Sequence, residues 1–167
     1  GPRYHSRRRL DLRTLATVFG IFLIATLVSV SAAAAERRLA LVIGIDNYHS
    51  ISKLEKATGD ASAMASALEG LGFEVTKVLD ADGLQLNIAI ADFTARLTRD
   101  DVAFVHFSGH GVEIDGDNFL LPADIPTPTG GSKDVVKYEA VGLRRLIAQI
   151  GATDARTKLF VVDACRD

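Results

Sequence analysis

The stretch DVAFVHFSGHG, residues 101–111, decides the fold of this chain. Its apolar and β-branched residues predict a buried strand, and the small residues at its end predict a turn that carries His110. A similar stretch, KLFVVDACRD, occupies residues 158–167 and places the single cysteine, Cys165, just past a second predicted strand. In a parallel sheet, ligands and chemistry collect outside the carboxyl ends of the strands. The two strand ends therefore predict a Cys–His pair.

The chain between these two stretches and before them alternates predicted strands with predicted helices. Strands are predicted over residues 39–46 and 73–79, and a hairpin over residues 111–121 with Asp-Gly at its turn. Apolar residues at helical spacing predict helices that run from Thr58 or Asp60 to Gly70–Gly72, from Gly83 to Leu97, and from Val141 to Gly151. Residues 122–132 are predicted to form an exposed loop. This order indicates an α/β fold, a three-layer sandwich of a mostly parallel sheet with helices on both faces.

Length and charge limit the class of protein. A chain of 167 residues suits one domain. Residues 36–167 carry fourteen Lys and Arg against twenty Asp and Glu, and this acidic balance argues against nucleic acid as a partner. A single cysteine excludes an intramolecular disulfide.

The first 35 residues are predicted to be a signal peptide. Arg7-Arg8-Arg9 precede an apolar run over residues 15–30, and the small residues 31–35 follow it. The interpretation is export to the periplasm or the extracellular space, with a mature domain over residues 36–167. An uncleaved anchor in the inner membrane is the alternative, and this segment would be the chain's sole contact with a membrane.

The predicted pair suits nucleophilic chemistry. A cysteine attacks as the thiolate, so it needs a base beside it, and His110 would supply that base. The N–H groups of Gly111 and Cys165 could form an oxyanion hole. Alone, a cysteine at a strand end is more often a small buried hydrophobic residue. The combination with His110 favours catalysis.

Two motifs, FSGHG at residues 107–111 and VDACRD at residues 162–167, resemble the catalytic motifs of the caspase-like cysteine peptidases. They are most similar to those of metacaspases and bacterial caspase-like proteins. Residues 38–45, 59–64 and 118–122 also resemble family segments, so that the resemblance covers residues 37–167. It implies a caspase-like fold and peptide hydrolysis through a thioester, with Cys165 as nucleophile and His110 as general acid and base. It implies no cofactor.

The resemblance also implies a substrate pocket. In metacaspases the positions that match Asp60, Ser108 and Asp163 line the pocket for the residue before the cleaved bond. Asp163 lies two residues before Cys165, which puts both side chains on one face of a strand. Two carboxylates would attract Arg or Lys of a polypeptide substrate, although capping of a helix is an equally good interpretation of Asp60.

Other polar residues receive structural interpretations. Asp115, Asp117, Asp134 and Glu139 are predicted to be solvated charges, so no bound metal is expected. His106 is predicted to be a packed, structural histidine. The family's small-subunit region does not follow Asp167, so the last strands are expected to be missing, and a homodimer or further C-terminal chain would complete the sheet.

Two rival functions are compatible with the same fold. The first is a catalytically silent caspase-like scaffold or interaction module, since folds persist without their chemistry. The presence of both Cys165 and His110 favours the enzyme. The second is a nucleotide-binding domain, but the first strand–helix connection has neither G-x-G-x-x-G nor a phosphate loop.

Overall fold

A computed structural model of the chain describes residues 36–127 and 133–166, with only the backbone described for residues 165 and 166. The predicted signal peptide over residues 1–35 lies outside the described residues. Within the described ranges, no helix is both long enough and apolar enough to cross a bilayer.

The described residues form a mixed sheet of six strands. Strands β1, β2, β3 and β6 are parallel in the order β2-β1-β3-β6, whereas β4 pairs antiparallel with the end of β3, and β5 pairs antiparallel with β4. Gly111 is in register with both Leu120 of β4 and Arg166 of β6, so β4 lies on the same side of β3 as β1. The strands are β1 (Arg38–Gly44), β2 (Glu74–Leu79), β3 (Val102–Ile114), β4 (Asp117–Leu120), β5 (Val141–Gly142) and β6 (Thr157–Arg166).

Helices cover both faces of this sheet. They are α1 (Ala57–Gly70), α2 (Gly83–Arg96), α3 (Lys133–Glu139) and α4 (Leu143–Gly151). Helix α1 packs through Ala61, Ala65 and Leu68 on one face, where Ala40 and Val42 of β1 meet it. The larger core on the other face contains the alternate β1 residues together with apolar residues of α2 and α4: Leu39, Leu41, Ile43, Leu86, Ile90, Phe93, Leu146 and Ile150. The predicted α/β fold with helices on both faces is confirmed.

The predicted turn at the end of residues 101–111 is wrong. Strand β3 continues through His110 and Gly111 to Ile114, because β6 and β4 both pair with it there. The small residues allow close approach within the sheet: a Cβ on Gly111 would lie 2.9 Å from the Cβ of Ala164 in β6. Glycine therefore serves strand pairing here.

Two further local predictions need correction. Residues 133–139 form helix α3, which includes Asp134 and Glu139, and its single buried residue, Val136, leaves no apolar periodicity to detect. The loop predicted over residues 122–132 is only partly exposed within residues 122–127, because Ala123 and Ile125 are buried in the core. The hairpin prediction is confirmed: Asp115 and Gly116 have φ angles of 51° and 80°, as a type I′ turn requires.

Helix α1 is packed closely enough against β1 to require glycine at residue 44. A Cβ on Gly44 would lie 2.6 Å from both the Ala57 carbonyl oxygen and the Ala61 Cβ. We expect Gly44→Ala to lower the free energy of unfolding by about 1–3 kcal/mol, since β1 and α1 must separate. Urea denaturation measures the change.

Gly59 provides the matched control, because it lies in α1 with open space around its would-be Cβ. Gly59→Ala should raise the free energy of unfolding by about 0.5–1 kcal/mol, as expected for glycine replaced within a helix. Equal effects of the two substitutions would contradict the packing argument.

Candidate functional site

His110 is held in place through its backbone. Its N–H donates a hydrogen bond to the Tyr48 hydroxyl oxygen at 2.7 Å, and that hydroxyl donates to the Leu121 carbonyl oxygen at 3.3 Å. The Tyr48 and His110 rings also pack together, with centroids 4.7 Å apart. Both residues are buried. Tyr48 therefore fixes the position of the His110 backbone and ring, and no sequence pattern indicated this role.

The His110 ring is oriented by a backbone carbonyl. Its Nε2 lies 2.9 Å from the carbonyl oxygen of Ser52, in the loop between β1 and α1. Because a carbonyl oxygen can only accept, Nε2 must carry the proton in this contact. In the neutral ring the lone pair then lies on Nδ1, the nitrogen that could accept a proton from a thiol.

Cys165 is the register partner of His110. Their Cα atoms face each other across the parallel pair β3–β6, one residue beyond the pair formed by Gly109 and Ala164. The thiol lies outside the described side chains. The backbone thus brings the two predicted catalytic residues side by side, within strands rather than in the loops that the sequence indicated.

The predicted oxyanion donors also lie within strands. Gly111 belongs to β3 between β4 and β6, and Cys165 belongs to β6. The backbone there is extended and paired, which differs from the open turn expected from the glycines. Their role as oxyanion donors stays a prediction.

The three predicted pocket residues are brought together in one cavity of about 470 Å³. Ser108 and Asp163 are register partners in β3 and β6, and Asp60 faces them from the first turn of α1. The Ser108 side chain is buried, while both aspartates are exposed. Among the described residues, none donates a hydrogen bond to either carboxylate. Both carboxylates line the cavity, and within the described part of the chain neither forms an ion pair with a Lys or Arg side chain.

Asp60 does not cap helix α1. The carboxylate of Asp46 takes that role, since it accepts hydrogen bonds from the N–H groups of Ala57 and Thr58 at 2.8 and 2.9 Å and from the Thr58 hydroxyl at 2.6 Å. The capping interpretation of Asp60 is wrong, because the cap comes from the end of β1, eleven residues before the helix begins. Asp60 is left at the cavity.

The cavity also contains charges that sequence reasoning missed. Lys53, Glu55 and Lys56, from the loop before α1, line it together with Asp60 and Asp163. The cavity therefore has three carboxylates and two ammonium groups. Its net negative charge is smaller than Asp60 and Asp163 alone would give. No sequence signal identifies these residues, because their loop follows no periodic pattern.

His106 lies on the same face of β3 as Ser108 and His110, and all three are buried. Its side chain is buried, and neither ring nitrogen has a hydrogen-bond partner among the described residues. Burial lowers the pKa of His106 from its ordinary value of 6.5, against the opposing charges of Asp163 and Asp60. His106 is therefore a neutral, packed histidine, in keeping with the interpretation from sequence.

A second cavity, of about 400 Å³, is lined by His110. The loop after β1 contributes to both cavities: Ile51 and Ser52 line the second cavity, whereas residues 53–57 line the first, which we call the acidic cavity. Most of the residues that line the second cavity are aliphatic. They come from β3, residues 121–126 and α3: Val112, Ile114, Leu121, Ile125, Pro126 and Val136. We call it the apolar cavity.

Within residues 36–127 and 133–166, no group of three or more His, Cys, Asp or Glu side chains could hold a metal ion. Asp115, predicted to be a solvated charge, pairs with Lys137 on the surface, and Asp117 lies 4.0 Å from Arg144. These contacts account for both acids of the hairpin without a ligand.

Comparisons with known proteins identify relatives of this chain. The family model of the caspase domain matches residues 37–167. Human mucosa-associated lymphoid tissue lymphoma translocation protein 1 is 25% identical over 132 residues, and its mouse homolog is 24% identical over the same length. Each alignment covers 79% of this chain but 15% of the relative, so the chain spans a small part of these curated proteins.

A solved structure has a similar fold. The crystal structure of protein GSU0716 from Geobacter sulfurreducens matches with a TM-score of 0.59 and 23% sequence identity. The match covers 77% of this chain and 50% of that one. At this identity the likeness concerns the fold, and it agrees with the family match.

Replacing Tyr48 should destabilise the protein and change its response to alkali. Tyr48→Phe removes the hydroxyl that accepts a hydrogen bond from the buried His110 N–H, so we expect the free energy of unfolding to fall by about 1–3 kcal/mol. Burial raises the pKa of Tyr48 from 10.0 to about 12. The folded state therefore keeps this proton longer than the unfolded state, and stability is lost as pH rises from 10 through 12.

The Phe variant should lack this part of the alkaline loss. Tyr138→Phe is the control, because Tyr138 is 87% exposed and should behave as the parent. Chemical denaturation from pH 8 to pH 11.5 makes the comparison. An unchanged alkaline slope in Tyr48→Phe would contradict the assignment.

His106 should produce a loss of stability in mild acid. Because its pKa is lowered by burial, the unfolded chain binds this proton at a higher pH than the folded protein. The free energy of unfolding should fall as pH drops below 6.5, with a slope of at most about 1.4 kcal/mol per pH unit from this residue. His106→Gln should flatten the slope between pH 7 and pH 5, whereas His49→Gln, at an exposed site, should keep it. Equal slopes in the two variants would refute this origin.

Proposed function

Because the chain belongs to the caspase domain family, we propose that it is a cysteine endopeptidase that cleaves after Arg or Lys. One observation carries the proposal: His110 and Cys165 are register partners on neighbouring strands, beside a cavity with Asp60 and Asp163 at its mouth. Register partners share a face of a sheet, so the imidazole and the thiol would meet on one side.

The first half of the reaction forms a thioester. The Nδ1 atom of His110 would take the thiol proton of Cys165, and the thiolate sulfur would attack the carbonyl carbon of the substrate. The negative oxygen of the tetrahedral intermediate needs donors, for which the N–H groups of Gly111 and Cys165 are proposed. The protonated imidazole would then give its proton to the leaving nitrogen as the peptide bond breaks.

The second half regenerates the enzyme. Neutral His110 would take a proton from a water molecule, and the resulting hydroxide would attack the thioester carbonyl. The carbon–sulfur bond then breaks and the thiolate recovers its proton. The Ser52 carbonyl supports both halves, because it holds Nε2–H and would stabilise the positive charge that His110 carries between proton transfers.

Specificity for a basic residue rests on the charges of the cavity. A guanidinium or ammonium group entering it would meet Asp60 and Asp163 while Ser108 lines the floor. The bound substrate would shield these carboxylates from water. The attraction between the substrate cation and the carboxylates is stronger there than between exposed charges. Lys53 and Lys56 line the same cavity and would attract an acidic substrate residue, so the test below includes Asp.

The proposal includes the cellular setting predicted from sequence. The leader over residues 1–35 supports export to the periplasm or the extracellular space, or anchorage in the inner membrane if it is not cleaved. The proposed partner is a polypeptide substrate. Strand β6 lies at the edge of the described sheet with Leu159, Val161 and Val162 exposed, which supports a further strand beside it from a second copy or from additional chain.

Hydrolysis of fluorogenic peptides that end in Arg, Lys or Asp tests the activity. We expect cleavage after Arg and Lys, and a loss of at least about 1000-fold in Cys165→Ala and His110→Gln, because each variant removes one member of the pair. Asp60→Asn and Asp163→Asn should each lower kcat/KM for Arg peptides by about tenfold or more. Each substitution removes a carboxylate that would pair with the substrate guanidinium in a site shielded from water. Asp92→Asn, an exposed carboxylate of α2, is the matched control and should change nothing.

The outcomes separate the candidate functions. Cleavage after Asp would keep the peptidase and remove the basic specificity. No cleavage by a folded protein, together with a Cys165 thiol that does not react with iodoacetamide, would favour the silent scaffold.

A further inference from the structure

The apolar cavity touches the proposed catalytic residue directly. His110 and Gly111 line it, together with Ile51 and Ser52 from the loop that orients the imidazole. The acidic cavity is lined by residues next to these along the chain, Ser108 and Gly109 on β3 and residues 53–57 of the same loop. His110 and Ser52 therefore line one cavity, while their immediate chain neighbours Gly109 and Lys53 line the other.

The proposed reaction indicates where the two sides of a substrate would lie relative to the two cavities. The side chain before the cleaved bond would occupy the acidic cavity, and the leaving nitrogen must come within hydrogen-bond distance of the His110 imidazole to receive its proton. The residue that follows this nitrogen would therefore lie close to His110, which lines the apolar cavity and not the acidic one.

We propose that the apolar cavity binds an apolar side chain of the substrate residue that follows the cleaved bond. This inference rests on the proposed function and adds a second specificity site to it. The cavity has room for a side chain as large as that of leucine or phenylalanine, since its volume is about 400 Å³. Its aliphatic lining would exclude a charged side chain, because a charge removed from water without a partner is strongly disfavoured.

The polar and aliphatic residues of this cavity differ in exposure. Glu113 on β3 and Lys133 at the start of α3 are exposed, whereas Leu121 and Ile125 are buried. This gives a polar rim around an apolar base, the arrangement typical of sites that select a side chain by size and apolarity.

Internally quenched peptides test the inference with the full chain. Each carries Arg before the cleaved bond and Leu, Phe, Ser, Asp or Lys after it, with a fluorophore and a quencher at its ends. We expect kcat/KM for Leu and Phe to exceed that for Ser, Asp and Lys by about tenfold or more, as for an apolar side chain entering a complementary pocket.

A variant locates the preference. Ile51→Glu places a carboxylate at the mouth of the apolar cavity and should remove the advantage of Leu and Phe. The readout is the ratio of kcat/KM for Leu over Ser, and hydrolysis of an Arg-aminomethylcoumarin peptide, which has no residue after the cleaved bond, measures separately any effect of Ile51→Glu on the neighbouring Ser52–His110 contact. Leu84→Glu, at a position 71% exposed on α2, is the matched control and should keep the preference. Thermal unfolding of each variant confirms that it is folded.

The failures of the two proposals are distinguishable. If the parent hydrolyses the Arg-aminomethylcoumarin peptide but cleaves all five quenched peptides within about twofold of one another, the inference is overturned while the proposed function stands. A preference that survives Ile51→Glu also overturns the assignment to this cavity. If the folded protein cleaves no peptide of either kind, the proposed function fails and the inference fails with it.

Discussion

The site depends on one buried carboxylate, that of Asp46. This carboxylate caps helix α1 through Ala57 and Thr58. The backbone carbonyl of Asp46 accepts hydrogen bonds from the N–H groups of Tyr48 and Leu54. The loop between β1 and α1 is thereby closed on itself. Since an uncapped helix end leaves N–H groups without partners, this arrangement is stable only when the loop returns to Asp46. Everything that the loop supplies to the site follows from this closure.

The loop supplies three different things to His110 and its surroundings. Tyr48 binds the His110 backbone, the Ser52 carbonyl orients the ring, and the residues from Lys53 onward line the acidic cavity. Asp80, at the end of β2, accepts hydrogen bonds from the N–H groups of Asp46 and Asn47 and so anchors the start of the loop. The geometry of the proposed base therefore depends on the end of β1 as much as on β3.

Strand β3 positions His110 through its pairing with three other strands. It pairs with β1 at its start, with β6 over residues 102–111, and with β4 at its end. Close pairing needs small residues, which explains Gly111 beside Ala164 and Gly109 beneath the Tyr48 hydroxyl, 2.7 Å from where a Cβ would lie. The motif around His110 thus reflects packing and positioning together. The acidic and apolar cavities both adjoin this motif, and both include residues of the loop after β1.

The sequence by itself determined the α/β class and the order of the main elements, and it singled out Asp60, Ser108 and Asp163, which line one cavity. Periodicity and the two motifs are local signals, and they survive in a single chain because burial of one helix face or one strand imposes them. Helix α3 carried no such signal, and the small residues before Gly111 were mistaken for a turn because glycine serves both turns and close strand pairing. Only the tertiary structure decided that Asp46 caps α1, that Tyr48 and Ser52 hold His110, and that an apolar cavity adjoins it, because these contacts join residues that are close in space but follow no pattern along the chain.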